Sequence, residues 1–156
     1  MPILRTLDSS FWVPKLEYFV LKLARLGECN AITDEDFDAI FLNQKEPPVE
    51  GTWLQIYWIG RDTEIDDIKS ALGNKLHIRL AQCHDLIKRQ CNGEDSLLPT
   101  GNDQQLMVLF VKDKSGATRE VTIAHQKEEG VWKVEAPGDS EEFEAGTLFL
   151  AQADAL

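Results

Sequence analysis

The sequence predicts a single domain over residues 1–156, of the α+β class, in which N-terminal helices pack on one face of a curved antiparallel sheet. Apolar residues recur at helical spacing through much of the first 91 residues, and strand-like segments dominate after residue 104. A chain of 156 residues also buries a sufficient core without a disulfide or a metal ion.

Three segments show the pattern of helices, at residues 8–27, 33–43 and 63–91. The first opens on side chains that can cap a helix and continues with large apolar residues three or four positions apart. These apolar residues are Trp12, Leu16, Phe19, Leu23 and Leu26. The spacing predicts a helix that is covered on more than one side, because further apolar residues widen the stripe.

The other two helices open on similar signals. Thr33 and Asp36 resemble a capping box, and Thr63 and Asp66 repeat the pattern. The third helix is long and amphipathic, and Gly73-Asn74 can divide it into two. Its stripe includes residues that we expect to be buried against the sheet: Leu72, Leu76, Leu80 and Ile87. A strand at 76–81 is the alternative there, since LHIRLA also alternates.

Five segments are typical of strands, at residues 52–59, 104–112, 118–127, 131–135 and 147–151. They are rich in β-branched and aromatic residues, and polar turns separate the three central ones. These three are therefore expected to form an antiparallel meander.

The net charge of −11, from 16 basic and 27 acidic residues, limits the kinds of partner. Nucleic-acid backbones and anionic membranes repel such a surface, so neither is expected as a partner. A basic protein would be attracted, and its capture accelerated. Cys29, Cys83 and Cys91 form neither a disulfide framework nor a zinc pattern, and no apolar run reaches membrane-span length. These features predict a cytoplasmic location.

The acidic residues concentrate in two regions, since residues 28–50 and 126–156 each carry −6 and residues 61–95 carry only −1. We interpret these regions as a docking face for a basic protein, with Trp58 as an aromatic anchor chosen among Trp53, Tyr57 and Trp58. The acidic candidates are Asp34, Glu35, Asp38, Glu128, Glu129, Glu141, Glu142 and Glu144. A solvated rim that only keeps the protein soluble is the simpler interpretation.

No constellation indicates catalysis, a metal or a cofactor. His77, His84 and Cys91 are seven residues apart on the expected long helix, about 10 Å per step, which is too far for one metal ion. No serine or cysteine lies in a nucleophile motif. His125 is expected to share the apolar face of Val121 and Ile123, as a core or rim histidine. We therefore predict no catalytic residue, metal or cofactor.

The order of elements and a late G-x-W-x-V stretch, formed by Gly130, Trp132 and Val134, resemble the NTF2-like superfamily of cone-shaped α+β domains. The resemblance covers residues 10–150 in outline and departs at 52–92, where the long helix does not fit the family order. It implies helices on one side of a curved sheet. The family includes enzymes, ligand carriers, scaffolds and bacterial immunity proteins, so the fold alone selects no function.

Together, these observations favour a bacterial immunity protein that neutralises a basic toxin domain by direct binding. The alternative is an NTF2-like enzyme or small-ligand-binding protein, with a pocket between helices and sheet. A secretion chaperone or adaptor is the third hypothesis. The sequence leaves the oligomeric state open.

Overall fold

The computed structural model describes residues 4–17, 19–20, 31–91, 106–126 and 130–153. The strands within these ranges are β1 (Leu4–Val13), β2 (Phe19–Val20), β3 (Ala31–Thr33), β4 (Lys45–Glu46), β5 (Thr52–Ile59), β6 (Thr63–Glu64), β7 (Met107–Lys112), β8 (Thr118–Gln126), β9 (Val131–Glu135), β10 (Glu142–Phe143) and β11 (Leu148–Gln152). The α-helices within them are α1 (Glu35–Phe41), α2 (Ile65–Leu72) and α3 (Leu80–Cys91), with a 3₁₀ turn at Gly73–Lys75.

Seven strands form one mixed sheet in the order β1-β5-β11-β7-β8-β9-β3. Four neighbouring pairs are antiparallel, but β11–β7 and β9–β3 are parallel. Two two-stranded ribbons, β6–β10 and β2–β4, lie outside this sheet. The predicted antiparallel sheet is therefore wrong, because strands distant in the sequence join β7 and β9 in parallel.

The central strands contribute to two cores. Along β7, Met107, Leu109 and Val111 belong to a first core, whereas Val108 and Phe110 belong to a second. Because side chains alternate along a strand, these cores lie on opposite faces of the sheet. Helices α1 and α3 contribute to the first core, and α2 contributes to the second. The prediction of helices on one face is wrong for this reason.

The predicted long helix 63–91 is interrupted where the sequence suggested a break. Gly73 has a φ of +54° at the end of α2, and the backbone then pairs His77 with Phe110 of β7 before α3 begins. The four leucine and isoleucine positions expected against the sheet are all buried, but they divide between the two cores. Residues 73–79 thus carry the chain from one face of the sheet to the other.

The helix predicted over residues 8–27 is wrong in its first part, because residues 4–13 pair with β5 as an edge strand. Its polar residues 8–10 interrupt the register: three residues of β1 stand opposite only Gln55 of β5. Aromatic side chains at helical spacing also suit a strand, and pairing with β5 outweighs the local pattern. Beyond β1, Leu16 forms an isolated antiparallel bridge with Val49, and Phe19–Val20 form β2, so the described residues between 14 and 20 are not helical either. Residues 21–27 lie outside the described ranges.

Helix α1 begins one residue later than the sequence suggested. Asp34, rather than Thr33, is its N-cap, and its carboxylate accepts a hydrogen bond from the Phe37 backbone N–H at 2.8 Å. Thr33 instead ends β3 and donates its hydroxyl to Asp38 at 2.6 Å. In the same way, Thr63 lies in β6 and Glu64 is the N-cap of α2.

A buried carboxylate holds the start of α3. Glu46, only 6% exposed, accepts backbone hydrogen bonds from Leu80 at 3.2 Å and Ala81 at 2.8 Å. Gln82 completes the cap, because its Oε1 accepts from the Arg79 backbone N–H at 2.9 Å. Negative charge is favourable at the amino end of a helix, so this contact fixes α3 against β4.

We therefore expect Glu46→Ala to lower the free energy of unfolding by about 1.5–3 kcal/mol, since buried amide groups would lose a charged acceptor. Urea denaturation measures this change. Glu17→Ala is the matched control at an exposed carboxylate and should stay within about 0.5 kcal/mol. A Glu46→Ala loss as small as that of the control would show that the cap contributes nothing to stability.

Candidate functional site

A set of exposed carboxylates lies around the β6–β10 ribbon. We call these residues the acidic surface: Asp62, Glu64, Asp66, Asp67, Asp139, Glu141, Glu142 and Glu144. All eight are exposed, and Arg61 and Lys69 are the basic residues of the same two segments. Two hydrogen bonds join residues 61–69 to residues 139–145. The Ile65 backbone N–H donates to the Glu141 carbonyl, and the Ala145 backbone N–H donates to the Asp62 carboxylate at 2.9 Å.

Within this surface, Glu64 lies directly opposite Glu142 in the antiparallel β6–β10 pair. Like charges in this position repel and destabilise the pairing. In the described part of the chain, none of the eight carboxylates forms an ion pair. The fold therefore holds these charges together although they repel one another.

Glu120 lies buried beside the acidic surface. A cavity of about 280 Å³ is lined by Glu120, Asp139 and Glu141 and by Lys69 of α2. Ser140 donates to Glu120 from its backbone N–H at 3.1 Å and from its hydroxyl at 2.8 Å. Burial raises the pKa of Glu120, the charge of Asp139 raises it further, and the hydrogen bonds from Ser140 oppose this rise.

The structure places the other predicted acidic candidates in different roles. Asp34 and Asp38 are engaged in the N-cap of α1 and in the contact with Thr33, whereas Glu35 is exposed. Asp34 also accepts from the Ala136 backbone N–H at 3.4 Å, three residues before Asp139. Ala136 is at most about 11 Å from Asp139 along the chain, so the amino end of α1 lies near the acidic surface. Glu128 and Glu129 lie outside the described residues.

The aromatic candidates do not share one environment. Trp58 is half-buried against the first core, and Tyr57 is buried with its hydroxyl donating to Gln152 O at 3.1 Å. Trp53 is 40% exposed and packs edge-on against Trp12, which is 45% exposed, with ring centroids 5.5 Å apart. The predicted helix at residues 8–27 would not bring these two rings together, whereas the pairing of β1 with β5 places Trp12 directly opposite Trp53.

A second cavity has the opposite electrostatic character. This basic cavity, of about 380 Å³, is lined by the loop 49–52 and by His77, Arg79, Gln82, Lys112 and Gln152. It lies at the carboxyl ends of the parallel strands β7 and β11, beside the first turn of α3. His77 Nε2 is 2.8 Å from Thr118 Oγ1, and Thr118 lines the cavity of Glu120. The sequence contained no motif for this site, since its residues come from four separate segments.

Among the described residues, Cys83 is buried in the first core and His125 lies on the same side of the sheet. Burial, followed by the charge of Glu46, raises the pKa of Cys83 to about 12, so it remains a thiol and a poor nucleophile. His125 packs on Trp132 at 4.7 Å, on the side of the first core. Among the described residues, no group of three or more His, Cys, Asp or Glu side chains is arranged to hold a metal ion. Cys29 and the Cys91 side chain lie outside the description.

No protein-family model matches the chain, and neither curated proteins nor solved structures provide a match. The resemblance to the NTF2-like superfamily therefore stays a prediction. No helix within the described ranges is long and apolar enough to cross a membrane.

The repulsion between Glu64 and Glu142 leads to a test of stability. Glu142→Lys places opposite charges across the ribbon, so the free energy of unfolding should rise by about 0.2–1 kcal/mol in urea melts at low salt. Glu144→Lys makes the same change in charge outside β10 and serves as the control. The advantage of Glu142→Lys should shrink in 1 M salt. Equal effects of the two substitutions would argue against a specific cross-strand repulsion.

The raised pKa of Glu120 predicts how stability depends on pH. Because the pKa of Glu120 is higher in the folded protein than in the unfolded chain, the fold favours the protonated carboxyl group. The stability from this group is therefore complete below the unfolded-state pKa of about 4.5, and it is lost as the pH rises through the folded-state pKa. Glu120→Gln should therefore be more stable than the native chain at pH 7, and the advantage should vanish near pH 4. Thermal melts across this range measure the difference. A variant that is less stable at pH 7 would show that Ser140 requires an ionised carboxylate.

Proposed function

We propose that this protein is a protein-binding module whose acidic surface docks a basic partner. The observation that supports this proposal is the position of Glu64 directly opposite Glu142 in the β6–β10 ribbon. A surface that serves only solubility gains from separated charges, whereas this one holds like charges together in a short ribbon. A partner that presents lysine and arginine side chains would relieve the repulsion on binding.

Electrostatic steering is the physical advantage of such a surface. Clustered charges of one sign attract an oppositely charged partner over a distance of about 8–10 Å at moderate salt, and they can accelerate association 10-fold or more. Fast capture suits a protein that must neutralise a harmful partner before that partner acts. Neutralisation of a basic toxin domain, with the chain as its immunity protein in the reducing cytoplasm, is the role that we propose.

The exposed tryptophan pair offers a possible second contribution to docking. Trp12 and Trp53 present indole rings at the surface, and tryptophan is enriched among the residues that dominate binding energy. We propose that Trp53 takes the part that the sequence assigned to Trp58, because Trp58 is half-buried against the first core.

The test uses the basic protein that co-purifies with the chain from its native host. Surface plasmon resonance at low and near-physiological salt should show fast, salt-sensitive association. The double variant Glu142→Lys/Glu144→Lys should lower the on-rate about 10-fold at low salt and change the off-rate less. Stability should remain within about 1 kcal/mol, so the loss would belong to binding.

A charge-matched control separates docking from net charge. Glu17→Lys/Glu50→Lys makes the same change in total charge at exposed carboxylates that belong to neither segment of the acidic surface. An on-rate that falls equally in both double variants would leave only a general charge effect. An on-rate that is unchanged in the first variant would refute the docking role.

A further inference from the structure

We propose that the basic cavity binds a small molecule through a phosphate or carboxylate group. The site is independent of the acidic surface and does not require the proposed protein partner. The volume of about 380 Å³ is within the range of small-molecule sites, about 300–1,000 Å³, and exceeds the needs of a single anionic group. It leaves space for an organic part of the ligand.

Two cationic side chains converge on this cavity from different elements. Arg79 precedes the first residue of α3, and Lys112 ends β7. In a chain of charge −11, neither side chain has an ion-pair partner among the described residues. The one carboxylate in the lining is Glu50, which is exposed. An anion would therefore meet two cations that the described parts of the protein leave uncompensated.

Gln82 supplies an amide donor to the same space. It is 3% exposed and lines the cavity, and its Oε1 accepts from the Arg79 backbone N–H. The described residues provide no acceptor for its Nε2, whose two N–H groups can only donate. Because Gln82 lines the cavity, its Nε2 is available to donate to an anionic group of a ligand there.

The amino end of α3 does not serve as the binding group. Glu46 takes the N–H groups of Leu80 and Ala81, and Gln82 takes that of Arg79. The binding groups are side chains, with the planar guanidinium of Arg79 suited to two oxygens at once and Lys112 acting as a point charge. Phosphate and carboxylate groups share this recognition chemistry.

The pKa of His77 provides a second measure of anion binding in the basic cavity. Its backbone carbonyl accepts from Gln152 Nε2 at 3.2 Å, and its ring is held by Thr118. Burial lowers the pKa of His77, and the charges of Lys112 and Lys69 lower it further. The other charged groups of the cavity are Arg79 and Glu50. An anion bound between the cations would offset them, so the pKa of His77 should rise on binding.

The experiment is an NMR titration of the whole chain with inorganic phosphate and, separately, with citrate, at constant ionic strength. We expect saturable shifts of the Gln82 side-chain amide and of residues 49–52, together with a raised pKa of His77. Saturation by phosphate alone would identify a phosphate site, and saturation by citrate alone a carboxylate site. Linear, unsaturated shifts with both probes would overturn the proposal.

Two variants within the site and one control outside it test the proposal. Gln82→Glu keeps the acceptor for Arg79 N–H but replaces the donor with a negative charge, and Lys112→Gln removes one cation. Each should weaken binding about 10-fold or more, which corresponds to about 1.4 kcal/mol. Lys133→Gln removes the same charge outside the lining and should change binding less than about twofold. Should Gln82→Glu fail to fold, Lys112→Gln decides alone. Equal weakening by Lys112→Gln and Lys133→Gln would reduce the effect to general charge and refute the site.

Discussion

The buried carboxylate of Glu46 is the contact on which much of the architecture depends. It holds the amino end of α3 against β4, 34 positions earlier in the chain. Its neighbour Gln44 donates to the carbonyl of Lys112 at 2.9 Å, so the same short segment also meets the end of β7. The hydrogen bonds of Glu46 and Gln44 together fix the start of α3 close to the carboxyl end of β7. The position of α3 then determines which apolar residues complete the first core.

This arrangement explains why the helix predicted over residues 63–91 is divided between the two faces of the sheet. Residues 73–79 cross at the carboxyl end of β7, between a helix on the second core and a helix on the first. His77 lies at the crossing and contacts Thr118, so the basic cavity and the cavity of Glu120 share that contact. The proposed anion site is thus a product of the interrupted helix, and His77 links it to the cavity beside the acidic surface.

The sequence allowed some of these elements to be predicted and hid others for physical reasons. The strand at 52–59 coincides with β5, and that at 131–135 with β9, because aromatic and β-branched residues between polar turns leave few alternatives. Residues 8–13 form a strand instead of the predicted helix, because their aromatic spacing suits both forms and only the pairing with β5 decides between them. The ribbons β2–β4 and β6–β10 contain two residues per strand, too few to show any period. Parallel pairing of β7 with β11 brings together segments about 40 residues apart, which no local pattern records.

The same limits apply to the sites. Averaged over residues 61–95, the charge is nearly neutral, but the fold separates its acidic start, at 62–67, from the basic residues that follow. Residues 62–67 then join residues 139–144 through the β6–β10 ribbon, so that carboxylates from two distant segments form one surface. Arg79 and Lys112 are isolated cations in the sequence, and the fold brings both of them to one cavity. Charge at the two sites therefore has meaning only after topology is known. Ion pairs form elsewhere, as between Arg119 and Asp113 at 2.7 Å. Among the described residues, however, the acidic surface and the two cations of the basic cavity form no internal ion pairs, although such pairs would stabilise the chain. A fold that forgoes those internal ion pairs leaves its charged groups available to other molecules, and this is the physical basis on which both proposed sites rest.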